Sequence, residues 1–260
     1  VAGGSSGIGL GIARALAAQG VERLHLVARR EDRLNAAADE LRLKHCEVDV
    51  YVHPCDLSDE WAVRRLREDI VGRFGAPEAV IHSAGAGELT TLSEESSRNL
   101  QLHWTSTVVT AYHLVQAFFD DLVLQDQAWI AIAGGSPLHR WPNPALAYVT
   151  TRRALSGFAD SLREDLRGSG VQVLFCEPPG ISEGTSYFED NADLSVARIN
   201  KTDVDREMKR VTNFFNKCLN DDWENLKLKD SAYKLAELIS KSGKDLNKVK
   251  FILITDCISP

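Results

Sequence analysis

Runs of apolar, β-branched residues alternate along this chain with stretches in which apolar residues return every three or four positions. The runs at 24–27, 48–54, 79–83, 129–133 and 171–176 read as strands, and a last one falls at 249–254. Between them, the helical spacing of Ile8, Ile12, Ala13, Leu16 and Ala17 predicts a helix over 8–19. Further helices are predicted over 31–44 and over 60–74, where Val63, Leu66 and Ile70 share a face and Gly75-Ala76-Pro77 stops the element. A long amphipathic helix is expected at 94–124, another at about 145–167, and one more at 230–240. Strict alternation of strand and helix predicts a parallel sheet wound right-handed and covered on both faces.

The first turn carries the most information. Val1-Ala2-Gly3-Gly4-Ser5-Ser6-Gly7-Ile8-Gly9 runs from a strand end straight into a helix, with glycines at Gly3, Gly4, Gly7 and Gly9. Such a turn needs backbone without Cβ atoms where it bends and where a phosphate approaches, and the helix behind it aims its amides and positive dipole end there. The alternative is a tight strand–helix turn without a ligand. In the nucleotide reading the fold class is α/β, a doubly wound Rossmann sheet in three layers, spanning 1–260 as one domain. The chain opens inside the last residues of its first strand, so an upstream segment completing that strand is expected.

The second strand ends at Ala28 and is followed by Arg29 and Arg30. An acid at this place would bind a ribose 2′-hydroxyl, whereas guanidinium groups suit a 2′-phosphate, so NADP(H) is expected over NAD(H). A solvated helix start is the plainer reading of the same pair. Asp56, at the carboxyl end of the third strand, is placed to accept from an adenine amino group or simply to open the next helix.

Composition narrows the class. The chain has 260 residues, 44% of them hydrophobic, and a net charge of −7, which suits one α/β domain and gives no global attraction for nucleic acid or anionic lipid. No apolar run reaches the ~20 residues of a membrane span. The five cysteines, Cys46, Cys55, Cys176, Cys218 and Cys257, form no CxxC pair and read as reduced thiols, which places the protein on the cytoplasmic side in a reducing compartment. Membrane association would need segments outside this chain. The seven histidines form no ligand-spaced cluster, so no metal is expected. Lys44 is the only lysine up to residue 200, while ten lysines fall between Lys201 and Lys250. That break marks either a surface-rich end or a segment of different origin.

Taken in order, Gly3-Gly4-Ser5-Ser6-Gly7-Ile8-Gly9, Asp56, Ala84-Gly85, Tyr148 with a basic residue four later, and Pro179-Gly180 resemble the short-chain dehydrogenase/reductase family over residues 1 to about 185. Within it, 27–34 and 178–191 resemble 3-ketodihydrosphingosine reductases, which implies a lipid-like 3-keto substrate. His82-Ser83-Ala84-Gly85 is similar to ketoreductase domains of polyketide synthases. The resemblance implies a cofactor seat of Gly3, Ser5, Ser6, Gly7, Ile8, Gly9, Arg29, Arg30, Asp56, Leu57, Ser83, Ala84, Gly85, Tyr148, Arg152, Pro179 and Gly180.

The family's chemistry is acid–base work beside hydride transfer. It uses a tyrosine, a lysine that activates it and holds the nicotinamide ribose, a serine on the substrate carbonyl, and an asparagine that anchors a relay water. Tyr148 takes the tyrosine's place. The lysine's place is Arg152, one helical turn on. The serine's place is Gly135, with Ser136 beside it, and the asparagine's falls on His103. Two functions follow. One is an NADP(H)-dependent ketone reductase using Tyr148, Arg152, Ser136 and His103. The other is a catalytically silent nucleotide-binding scaffold or a subunit of an assembly, since three of four positions differ. Residues 181–228 have the position of a substrate lid. The family also implies a homodimer through 94–124 and 145–167, for which Val108, Val109, Leu114, Leu155 and Phe158 are candidates, equally suited to the core.

Overall fold

The computed structural model describes residues 1–88, 90–134 and 146–176. Among the described residues there are five strands: β1 Arg23–Ala28, β2 Asp49–Pro54, β3 Ala79–His82, β4 Ala128–Ala133 and β5 Val171–Cys176. The helices are α1 Gly7–Ala18, α2 Glu31–Lys44, α3 Glu60–Phe74, α4 Ser97–Trp104, α5 Thr110–Val123 and α6 Leu146–Asp165. α2 and α3 have the bounds expected from the sequence. The expected long helix instead starts at Ser97, capped by the Ser96 hydroxyl accepting from Asn99 N, and contains a π-helical turn at Thr105–Val109 between α4 and α5.

All pairings are parallel: β1 with β2, and β3 with β4 and β4 with β5. Ala2 bridges both Val27 and His82, so Val1 and Ala2 lie between β1 and β3 in the place of the end of the first strand. The order is therefore β2, β1, the Ala2 segment, β3, β4, β5. From Ala2 the chain winds one way to β1 and β2 and later returns to the other side, a switch point at which open α/β sheets bind ligands beyond the strand carboxyl ends.

Alternate strand residues feed two cores. Leu24, Leu26, Ile81, Trp129 and Ala131 pack with Ile12, Leu16, Leu34 and Leu41 of α1 and α2. Val27, Val80, Ile130 and Ile132 pack with Leu66, Leu114, Phe118 and Leu155 of α3, α5 and α6. Helices thus cover both faces, the doubly wound arrangement the alternation predicts.

Candidate functional site

The glycine turn lies at the switch point. Gly3 has φ 80° and Gly7 φ 53°, conformations that side-chain-bearing residues avoid. Gly9 is needed for a different reason: a Cβ there would lie 2.3 Å from Gly3 O and 2.5 Å from Ser83 Oγ. The same hydroxyl would be 2.7 Å from a Cβ on Gly3, and it donates to Ala2 O at 2.7 Å. Ser83 therefore fills the inside of the turn and ties it to the end of β3. Ala84 N also lies under Gly3.

What the turn leaves available is the start of α1. Ser6 makes no side-chain capping bond, and the first turn carries no acid. By contrast, Asp59 caps α3 through Trp61 N and Ala62 N, and α2 has Glu31 and Asp32 in its first turn. The amides that open α1 have a positive dipole end and no acceptor among the described residues, the arrangement that receives phosphate. Ser5 and Ser6 stand half-buried at its mouth, while Ile8 packs on the core.

Arg29 and Arg30 are exposed just past β1, at the same edge of the sheet. Asp56 is exposed beyond β2, and its Oδ1 accepts from Ser58 N at 2.9 Å and Ser58 Oγ at 2.7 Å. Those two bonds, with Arg29's charge nearby, hold the carboxyl below its usual range. The local role thus occupies one carboxylate oxygen. Leu57 is buried, and its carbonyl accepts from His113 Nδ1 at 3.0 Å. Cys55, beside it, is an inert thiol pushed up to about 11 by burial.

The second cluster sits where β3 ends against α4, the π turn and α6. Tyr148 and Arg152 are both buried on the inner face of α6, with the Arg152 guanidinium 5.0 Å from the centre of the Tyr148 ring. Arg152 also reaches Gly85, where a Cβ would meet its Nη2 at 2.5 Å and Thr107 Oγ1 at 3.3 Å. His103 presents its ring edge-on to Tyr148 with centroids 6.4 Å apart, and its Nε2–H donates to Glu88 O at 2.9 Å. Burial holds His103 below its ordinary range, so it is neutral at pH 7.

His82 is the end residue of β3 and fully internal. Its Nε2 lies 2.9 Å from Thr110 Oγ1, whose own hydrogen goes to Ser106 O. Nε2 therefore donates, and Nδ1 is a lone-pair acceptor. Burial, and then Arg152's charge, push His82 down to about 3. Ser106 fixes the loop after β3 by accepting from Ala86 N and donating to Ala86 O. Asn99 does the same for Glu88, through Glu88 N and Glu88 O.

The sequence model of the short chain dehydrogenase family matches residues 1–193. The chain belongs to this family. A short chain dehydrogenase of Pseudocercospora fijiensis is 28% identical over 195 residues, 74% of this chain, which spans 62% of that relative's length. Among solved structures, L-sorbose reductase from Gluconobacter frateurii, complexed with NADPH and L-sorbose, is 26% identical with a TM-score of 0.68, covering 82% of this chain and 79% of its own. An NADPH-bound short chain oxidoreductase from Pseudomonas aeruginosa PAO1 containing an atypical catalytic center is 27% identical, TM-score 0.66, over 75% of this chain and 77% of its own. Residues 185–259, which hold the lysine-rich stretch, match a second model, that of the abortive infection phage resistance protein N-terminal domain.

In this member of the family the structure brings Tyr148, Arg152 and His103 together, with Gly85 against Arg152, and groups the glycine turn with Ser83 and Ala84. Ser136, Gly135, Pro179, Gly180, the lid at 181–228 and the elements at 230–240 and 249–254 lie outside the described residues. Two of the dimer candidates belong elsewhere: Leu114 and Leu155 are internal, packed in the chain's own core by α5 and α6. Thr107 was missed by the sequence reading, although it is fully buried beside Arg152 and Gly85. Its signal is a polar stripe of Asn99, His103, Thr107 and Thr110 at helical spacing on an inward face. Among the described residues no group of histidine, cysteine and carboxylate side chains could hold a metal ion, and no helix is long and apolar enough to cross a membrane.

Proposed function

We propose that this chain is an NADP(H)-dependent oxidoreductase that interconverts a carbonyl and an alcohol, with Tyr148 as acid/base. The observation that carries the reading is the pairing of the two clusters. The uncapped start of α1 opens at the sheet's switch point, and Tyr148 stands over a buried guanidinium at the same end of the sheet. The residues present fit the cofactor. The amides of α1 and the turn at Gly3, Gly7 and Gly9 suit its pyrophosphate, and exposed Arg29 and Arg30 suit a 2′-phosphate. The NADPH complexes of the two structural neighbours support the same choice. When bound, the cofactor supplies or accepts the hydride.

The chain's own residues do the rest. In reduction, the Tyr148 hydroxyl gives its proton to the substrate oxygen, and the fixed charge of Arg152 lies against the ring that carries the resulting phenolate. His103 and Asn99 hold the loop at Glu88, and Ser83 holds the turn. The lipid-like 3-keto substrate class rests on the resemblance of 178–191 alone, and those residues lie beyond the described ones. Purified protein tests the reading: Tyr148→Phe should lower NADPH-dependent carbonyl reduction by about 10²-fold or more while NADPH still binds. Equal turnover by this variant would refute Tyr148's role.

A second reading, a nucleotide-binding scaffold without turnover, is favoured by Arg152 in the place of lysine and His103 in that of asparagine. NADPH binding with no oxidation over a broad carbonyl panel would establish it. We also infer self-association. With Leu114 and Leu155 in the core, pairing would use exposed Tyr112 on α5 with partly buried Phe158 on α6. A dimer is expected by light scattering, and a monomer refutes it.

A further inference from the structure

Asn99 on α4 is 7% exposed, and both polar atoms of its side chain are engaged. Its Oδ1 accepts from Glu88 N at 2.9 Å. Its Nδ2 donates to Glu88 O at 3.0 Å and to Glu95 Oε1 at 2.9 Å, with Thr90 Oγ1 a third acceptor at 3.3 Å. The Thr90 hydroxyl in turn donates to Glu95 Oε2 at 2.7 Å, so the two oxygens of one carboxylate hold Asn99 and Thr90. Next along the chain, Glu94 Oε2 accepts from Thr91 N at 3.1 Å and from Thr91 Oγ1 at 2.8 Å, and Thr91 O accepts from Glu94 N and Glu95 N. Thr90 is thus fixed by its own side chain and by its neighbour, in the loop between β3 and α4. A polar network whose members are satisfied is rigid, because a displacement strands several groups at once.

This loop holds the helix that carries Tyr148. Leu146 N, the first amide of α6, donates to Thr90 O at 3.1 Å. The first amides of a helix have no partner within it, so this bond fixes where α6 begins. Tyr148 follows two residues later, and Arg152 one turn beyond it. From the other side, the His103 ring meets the Tyr148 ring edge-on, and His103 Nε2 donates to the same Glu88 O that Asn99 holds. We propose that Thr90, held by Glu95 and Asn99, is a positioning residue for Tyr148: it sets the start of α6 and thereby the place of the tyrosine hydroxyl in the site. This rests on the oxidoreductase reading and adds to it residues that act through the helix start rather than on the reacting atoms. The leverage is large, since a misplacement of ~1 Å costs about 10²-fold in rate.

The test compares the full chain with Thr90→Val, which keeps the side chain's shape and removes its hydroxyl, and with Thr90→Ser, which keeps the hydroxyl. With the carbonyl that the parent reduces fastest, Thr90→Val should lower kcat by roughly 10–100-fold while NADPH affinity in fluorescence titrations stays unchanged. Thr90→Ser should return kcat to within ~3-fold of the parent. Glu95→Ala releases Thr90 and Asn99 together and should lower kcat at least as far; where Thr90→Val does not fold, it carries the test. Hydrogen exchange read by mass spectrometry reports on the helix start itself: the Leu146 amide should exchange at least ~5-fold faster in Thr90→Val than in the parent. Equal kcat in the parent and these variants overturns the proposal, as does Thr90→Ser as slow as Thr90→Val. So does a fall in NADPH affinity that matches the fall in kcat, because the loop would then serve the cofactor seat. A parent that binds NADPH but reduces no carbonyl overturns the oxidoreductase reading instead. Exchange at Leu146 then judges the hold of Thr90 on α6: faster exchange in Thr90→Val upholds it, and equal exchange overturns it.

Discussion

Replacing Gly9 with alanine sets two effects against each other. In an unconstrained helix the change would stabilise by about 0.8–1 kcal/mol, because alanine gives up less backbone freedom. Here the new Cβ would stand 2.3 Å from Gly3 O, 2.6 Å from Gly3 C and 2.5 Å from Ser83 Oγ. Two of those atoms are backbone and cannot swing aside, so α1 must lift from the turn. Overpacking of this kind costs about 1–3 kcal/mol. Displacing Ser83 from Ala2 O loses a further ~1 kcal/mol. The net expectation is a loss of about 1–3 kcal/mol, or a fall in melting temperature of roughly 3–10 °C for a domain of this size. Gly72→Ala is the control. Its Cβ meets nothing within 4 Å on the exposed side of α3, so the same substitution should stabilise, by up to ~1 kcal/mol. Circular dichroism melts of both variants, with NADPH fluorescence titrations, give the comparison. A Gly9→Ala protein that melts at or above the parent and binds NADPH equally well would refute the packing argument.

Other outcomes follow from the same structure. Replacing Arg29 and Arg30 together with glutamate should weaken NADPH by roughly 10–100-fold and leave NADH unchanged in equilibrium titrations, because only the 2′-phosphate distinguishes the two. Stability should fall as pH drops from about 6.5 towards 3. Burial pushes His25 and His82 down to about 3 and His53 to about 4, so below 6.5 the unfolded chain takes up protons that the folded chain refuses. The loss between pH 7 and 5 is up to about 2 kcal/mol for each of these histidines. A guanidinium midpoint that is unchanged or higher at pH 5 would contradict it.

The fold was largely written in the periodicity. α2 and α3 start at clear polar signals and end at His45 and Gly75, so their bounds could be read directly. The strands are apolar because helices cover both faces of the sheet. The π turn at Thr105–Val109 could not be read, since one extra residue in a turn leaves no mark in an amphipathic pattern. The glycine turn was legible as a nucleotide seat, but the reason for Gly9 was not: it depends on Ser83, which the chain reaches only after two crossovers. Arg152 was visible as a departure from the family pattern. Its burial against the Tyr148 ring, and the presence of Thr107 beside it, are products of tertiary packing between α6, the π turn and the end of β3.

The most direct check is a paired fluorescence titration of the full chain with NADPH and with NADH, repeated on Tyr148→Phe. NADPH should bind at least ~10-fold more tightly than NADH, as expected when two exposed guanidinium groups receive an added phosphate. The variant should keep that affinity while losing carbonyl-dependent oxidation of the cofactor. If neither nucleotide binds, or if NADH binds as well as NADPH, the site at the glycine turn is not the NADP(H) seat described above.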